Sequence, residues 1–204
     1  MLHKMDITAN IETFKTALRT TNRHGVENVI AYLERVGFFE APASSKYHCS
    51  FKGGLLQHSL NVWEQAKHIA YEQIALKNSL ADKLTLESIT IAALLHDVCK
   101  CGVYKIEKRN RKNAEGKWES YDCYVPKYED LPLGHGEKSV ICLLRNGLEL
   151  TDDEVFAIRW HMANWDLSDT AEAKGNFSAA VNKCPLLSVL IAADQLATWI
   201  TEAE

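Results

Sequence analysis

Apolar positions recur at helical spacing along most of this chain. Residues Ile7–Thr21 and Val26–Val36 read as two amphipathic helices, separated by Asn22-Arg23-His24-Gly25. The segment Gly37–Gly54 holds Phe38, Phe39, Pro42 and a Gly-Gly pair, and reads as an ordered loop because its aromatics need somewhere to pack. Leu55–Leu76 predicts a long helix with Leu56, Leu60, Trp63, Ala66, Ile69 and Ala70 on one side. Thr85 is placed to cap a helix over Leu86–Cys99, whose centre is almost wholly apolar and therefore expected to be buried. The pattern then changes. Tyr104–Tyr128 alternates, with a turn signal at Asn113-Ala114-Glu115-Gly116, and predicts a β-hairpin. Helical spacing resumes over Glu137–Asn146. Thr151 and Glu154 form a capping box for a helix reaching about Met162, and Pro185 suits the first turn of a last helix, Leu186–Ile200. The class expected is all-α with one small β-hairpin insertion and no βαβ alternation.

Against this background a few polar residues stand in apolar stripes. His96 and Asp97 end the run Ile91-Ala92-Ala93-Leu94-Leu95, and Asp194 interrupts Leu190-Ile191-Ala192-Ala193. A buried carboxylate is costly unless paired or bound to a metal, and no Arg or Lys lies three or four residues from Asp194. A cation from outside its helix is the simplest partner. His58 shares a helical face with Val62, Gln65 and Ile69, and His161 follows Ala157 and Ile158 on an inner stripe. His135 lies between Gly134 and Gly136, which allow close backbone approach. Six nitrogen and oxygen donors of this kind suit one or two divalent ions (Mn, Fe, Co, Ni or Zn, with Mg admitted). In one arrangement Asp97 bridges two ions, His58, His96 and Asp194 complete one, and His135 and His161 the other. His3, His24, His48 and His68 have no such context and are assigned to the surface or loops, although His48 can line the cleft.

Composition narrows the field. The 204 residues are 47% hydrophobic and 25% charged, with formal net charge −4 and a pI near 6.1, so nothing drives the whole molecule toward nucleic acid or an anionic membrane. No run approaches the roughly 18–20 apolar residues of a membrane span, and Met1–Asp6 lacks the apolar region of a secretory signal. A cytoplasmic location without membrane association is expected. The six cysteines form no C-x-x-C and read as reduced structural thiols.

The ordered set His58 … His96-Asp97 … Asp194 resembles the signature of the HD superfamily. The contexts agree: Gly-Gly-Leu-Leu-Gln before His58, Leu-Leu before the pair with Val98-Cys99-Lys100 after it, and Ala-Ala before Asp194. The resemblance spans about Phe38 to Ile200. It implies one helical HD-type domain over 1–204, with 1–37 as an N-terminal helical extension and 104–128 as a hairpin insertion. His135 and His161 match the additional histidines of binuclear members. Two positions depart from the common pattern. Cys99 stands where many members have Gly, and Trp160 where many phosphodiesterase members have a first histidine of a His-His pair.

The resemblance implies a metal-dependent phosphohydrolase (a phosphodiesterase or nucleotidase) cleaving a phosphomonoester or phosphodiester. Its substrate would be a phosphorylated small molecule such as a nucleotide, or a nucleic-acid end. A metal-bound hydroxide would be the nucleophile, with Asp97 and Lys100 as catalytic residues. Lys100, Lys105 and Arg109 are the candidates for holding substrate anions. The missing His-His pair gives weight to a second reading, an HD-fold mixed-valent diiron oxygenase. A third is a nucleotide-binding HD module without turnover. The cluster Lys108-Arg109-Asn110-Arg111-Lys112 reads as a solvated hairpin tip, with phosphate contact as its functional version. Trp118, Tyr121 and Tyr124 are expected to pack the hairpin onto the body.

Overall fold

The computed structural model describes residues 6–127 and 131–203; Tyr128, where the expected hairpin ends, and His3 lie outside them. Eight α-helices and one two-stranded sheet occur among the described residues. Helix α1 (Ile7–Thr20) and α2 (Val26–Arg35) come first, followed by a 3-10 turn at Phe38–Glu40. Phe14 of α1 meets Phe38 and Phe39 with ring centroids 5.2 and 5.6 Å away, which gives the aromatics of the expected loop their packing. Phe14, Leu18 and Leu33 join the same apolar core as the later helices.

The long helix α3 (Gly54–Leu76) packs on α1, on α4 (Leu86–Leu95) and on α8 (Pro185–Leu196). Helix α4 is the central rod. Thr85 caps it by accepting from the Ser88 N–H at 3.2 Å, and Ile91 through Leu95 are fully buried. It stops at Leu95, four residues short of the expected end. His96 is its C-cap, and Val98–Lys100 tighten into a 3-10 turn. The His-Asp pair therefore sits where helical geometry is given up, so both side chains can reach one point. Helix α5 (His135–Arg145) lies against that turn, with the Cys99 N–H donating to Ser139 Oγ at 3.1 Å. It starts two residues earlier than expected and makes His135 its first residue. Helix α6 (Asp152–Trp160) opens with the expected Thr151–Glu154 capping box and leaves His161 as its C-cap.

Two elements differ from expectation. Helix α7 (Ala171–Lys183) has no counterpart in the sequence reading, because it buries little beyond Ala180 and shows no clear apolar stripe. The last helix changes form after Leu196: Ala197–Thr201 make a π turn closed by the Glu202 N–H on Ala197 O at 2.9 Å.

The insertion is a hairpin of β1 (Tyr104–Lys112) and β2 (Trp118–Pro126), in register from Tyr104 opposite Pro126 to Lys112 opposite Trp118. Asn113 organises its turn by accepting from the N–H groups of Glu115 and Lys117. Trp118 does not pack on the body as expected. It is 71% exposed, and neither strand packs extensively on any element but the other. No single described helix is long and apolar enough to cross a membrane.

Candidate metal centre

Five side chains from four elements converge at one end of the bundle: His58 from α3, His96 and Asp97 from the end of α4, His161 from the end of α6, and Asp194 from α8. His58 Nε2 is 3.2 Å from Asp194 Oδ1 and 3.7 Å from Asp97 Oδ2. His96 Nε2 is 3.3 Å from Asp97 Oδ2, and His161 Nε2 is 3.5 Å from Asp97 Oδ1. Two overlapping sets result, His58–His96–Asp194 and His96–Asp97–His161, each with donor atoms within 4.8 Å of one another. All three imidazoles and Asp97 are buried.

The outer edge of each imidazole is tied down. His96 Nδ1–H donates to Ala93 O and His161 Nδ1–H to Ile158 O, both at 2.8 Å. His58 Nδ1 faces both oxygens of Glu202 at 3.1 Å, and Glu202 also accepts from Asn61 Nδ2 at 2.9 Å. With the proton held at Nδ1, the lone pair of a neutral ring belongs to Nε2. The three Nε2 atoms and Asp97 Oδ1 are buried without a well-aligned hydrogen bond among the described residues. Buried polar atoms are rarely left so. Three lone-pair donors and two carboxylates facing one small volume fit a divalent cation.

Charge explains the rest of the geometry. Burial would lift the Asp97 carboxyl, but Lys100 and His96 hold it well below the carboxylate range. Lys100 Nζ lies 2.6 Å from Asp97 Oδ2. Its own burial works against the ammonium, and Asp97 and Asp194 outweigh that, so it stays charged. Lys100 is thus a buried partner of Asp97. For His58, burial works against protonation, but the carboxylates of Asp194 and Glu202 outweigh it and place its pKa at about 9. Asp194 is held low in turn, burial being outweighed by His58.

The remaining expected site residues stand outside this cluster. His135 is exposed at the first turn of α5 and belongs to neither donor set. Gly136 lets that turn approach α6: a Cβ there would lie 2.1 Å from Arg159 O. Lys105 and Arg109 are exposed on β1, 3.1 and 4.0 Å from Glu107.

Glu202 extends the cluster beyond the sequence reading, His48 lines it as the sequence allowed, and with His58 they form a third set of donor atoms within 4.8 Å of one another. Glu202 follows the π turn, in a stretch with no pattern to single it out. His48 stacks near His58 at a centroid distance of 4.8 Å, and its pKa falls to about 4 through burial and the charges of His58 and Lys100.

A helical bundle that brings His, His-Asp and Asp from separate helices to one buried point has the architecture of a metal-dependent hydrolase. The HD domain model matches residues 55–199, and the chain belongs to that family, a superfamily of metal-dependent hydrolases whose domains bind divalent metals. No curated protein and no solved structure matches the chain.

Proposed function

We propose that this protein is a phosphohydrolase that cleaves a phosphomonoester or phosphodiester of a nucleotide or of a nucleic-acid end. The observation that carries the reading is the convergence of three tethered imidazoles on Asp97 and Asp194, with Lys100 alongside. His58, His96 and Asp194 would hold one divalent ion, and Asp97 with His96 and His161 a second position. His135, at the entrance, is the remaining donor for that second position. A bound ion supplies a water of lowered pKa and neutral balance for phosphoryl charge.

The chain's own residues do the rest. The backbone tethers at Nδ1 of His96 and His161 aim their Nε2 lone pairs at the cluster, while His58, held between Asp194 and Glu202, would give up its Nε2 proton as an ion binds. Lys100 holds its proton throughout. Its ammonium can shift between Asp97 and a non-bridging phosphoryl oxygen, where charge builds in the transition state. Lys105 and Arg109, exposed on β1, would meet outer substrate phosphates. Apolar walls from α3, α4 and α8 limit water around the cluster.

The test is turnover of bis-p-nitrophenyl phosphate by metal-depleted protein given Mn²⁺. Turnover that needs the ion and is lost in Asp97→Ala supports the proposal. Absence of turnover, with oxygen consumption by the iron-loaded protein, would replace it with oxygenase chemistry.

A further inference from the structure

The hairpin is the largest feature that the metal centre does not use. A two-stranded hairpin is marginal in water by itself, yet this one stands off the body with Trp118 71% and Ile106 62% exposed. The pairing register puts Ile106 beside Tyr124 and Lys112 beside Trp118 on the same face, with Lys108 between them on β1. Lys112 Nζ lies 5.6 Å from the centroid of the Trp118 ring, and on the other face Arg111 lies 4.8 Å from that of Tyr121. Residues 104–127 hold seven lysines and arginines against four acids, in a chain whose net charge is −4. The arm is thus net positive on an acidic molecule, with Lys108 and Lys112 on the Ile106 face and Asp122 set opposite Lys108 in the register.

The arm is also joined to the site. Its base closes through the Lys127 N–H on Val103 O at 2.7 Å, and the Val103 N–H bonds Lys100 O. Lys100 is the residue that pairs with Asp97. The base of the arm, from which nine-residue strands of about 30 Å extend, therefore adjoins the turn that carries Lys100.

We infer that the hairpin face carrying the exposed Ile106, Lys108, Lys112 and Trp118 and the half-buried Tyr124 binds a single-stranded polynucleotide and leads its end to the metal centre. Cations along the strands meet backbone phosphates, and the exposed indole takes an unpaired base on its free face. Stacking needs a base out of its pair, which excludes an intact duplex from the same contact. What the delivered end is for rests on the hydrolase reading; the binding itself does not.

The experiment is fluorescence anisotropy of a labelled single strand of about 12 nucleotides, long enough to span the arm, with chelator present so that nothing is cleaved. The expected result is binding that weakens about tenfold or more in Trp118→Ala and recovers in Trp118→Phe. In Lys108→Ala/Lys112→Ala the slope of log affinity against log salt should be shallower by about 1.4. Melting temperature and Mn²⁺ content of each variant confirm that the body is folded. No binding, equal binding of the matching duplex, or loss of a concentration-dependent dimer in the Trp118→Ala variant would overturn the inference, the last by assigning the face to a second copy of the chain. Binding without any phosphoester turnover would leave the arm standing and remove the hydrolase reading instead.

Discussion

Burying three imidazoles and two carboxylates within a few ångströms of one another is unfavourable unless each has a partner. Here the partners are divided. Ala93 O, Ile158 O and Glu202 take the Nδ1 edges, and the Nε2 edges are left for the cluster centre. Glu202→Gln keeps the shape of the side chain and removes the charge behind His58. It should weaken Mn²⁺ binding by about tenfold, measured by titration calorimetry, with the fold retained. In the chelator-treated protein, protonated His58 is stabilised by Asp194 and Glu202. Its pKa of about 9 lies above the ~6.5 of an unfolded histidine, so this contribution is complete below about pH 6.5 and is lost as pH rises through 9. The melting temperature of the metal-free protein should therefore decline between about pH 7 and 9.5, and His58→Asn should remove much of that decline. The five clustered side chains were legible in the sequence because each is a polar residue in an apolar stripe. Glu202 was not, since a glutamate near a polar C-terminus is unremarkable until a π turn folds it back onto α3.

Elements were legible where burial imposes a period. The stripes of α1, α2, α3 and α8 and the caps at Thr85 and Thr151 mark real helices. α7 escaped because most of its surface meets solvent and no period is enforced. The early stop of α4 escaped for the opposite reason. His96, Asp97 and Val98 are all buried, so apolar and polar residues alike continue the inward run while the backbone changes to a 3-10 turn. The contact of α5 with α6 depends on Gly136. Gly136→Ala would press a methyl into the Arg159 carbonyl and force the helices apart. It should cost about 1–3 kcal/mol in denaturant unfolding. Because His135 is the neighbouring residue, the proposed phosphoester turnover should also fall more than stability alone explains.

At the scale of the molecule, one ion network ties the α1–α2 connection to α4 and α6. Arg23, in the α1–α2 connection, donates to both oxygens of Glu154 on α6 at 2.7 and 2.9 Å. It also reaches Glu87 on α4 and Glu149 O, while Ser88 Oγ donates to Glu154. Glu154 is wholly buried. Removing the guanidinium leaves that carboxylate without its main partner. Arg23→Met should cost about 3 kcal/mol and lower the melting temperature by about 6–12 °C, without altering Mn²⁺ affinity at temperatures where the variant is folded. The sequence showed Arg23 only as part of a turn, because its partners lie 64 and 131 residues away. The hairpin was visible as an element, but its standing clear of the body was not. Alternating aromatics fit a packed face and a ligand-binding face equally well, and only the structure shows Trp118 in solvent.

The central claim is that the converging Nε2 and carboxylate atoms form a metal centre. Crystals grown metal-free and soaked in Mn²⁺ test it through anomalous difference density. A peak is expected about 2.0–2.3 Å from Nε2 of His58 and His96 and from a carboxylate oxygen of Asp194 or Asp97, absent in Asp97→Ala. Density elsewhere on the molecule, or none among these atoms at saturating Mn²⁺, would contradict it.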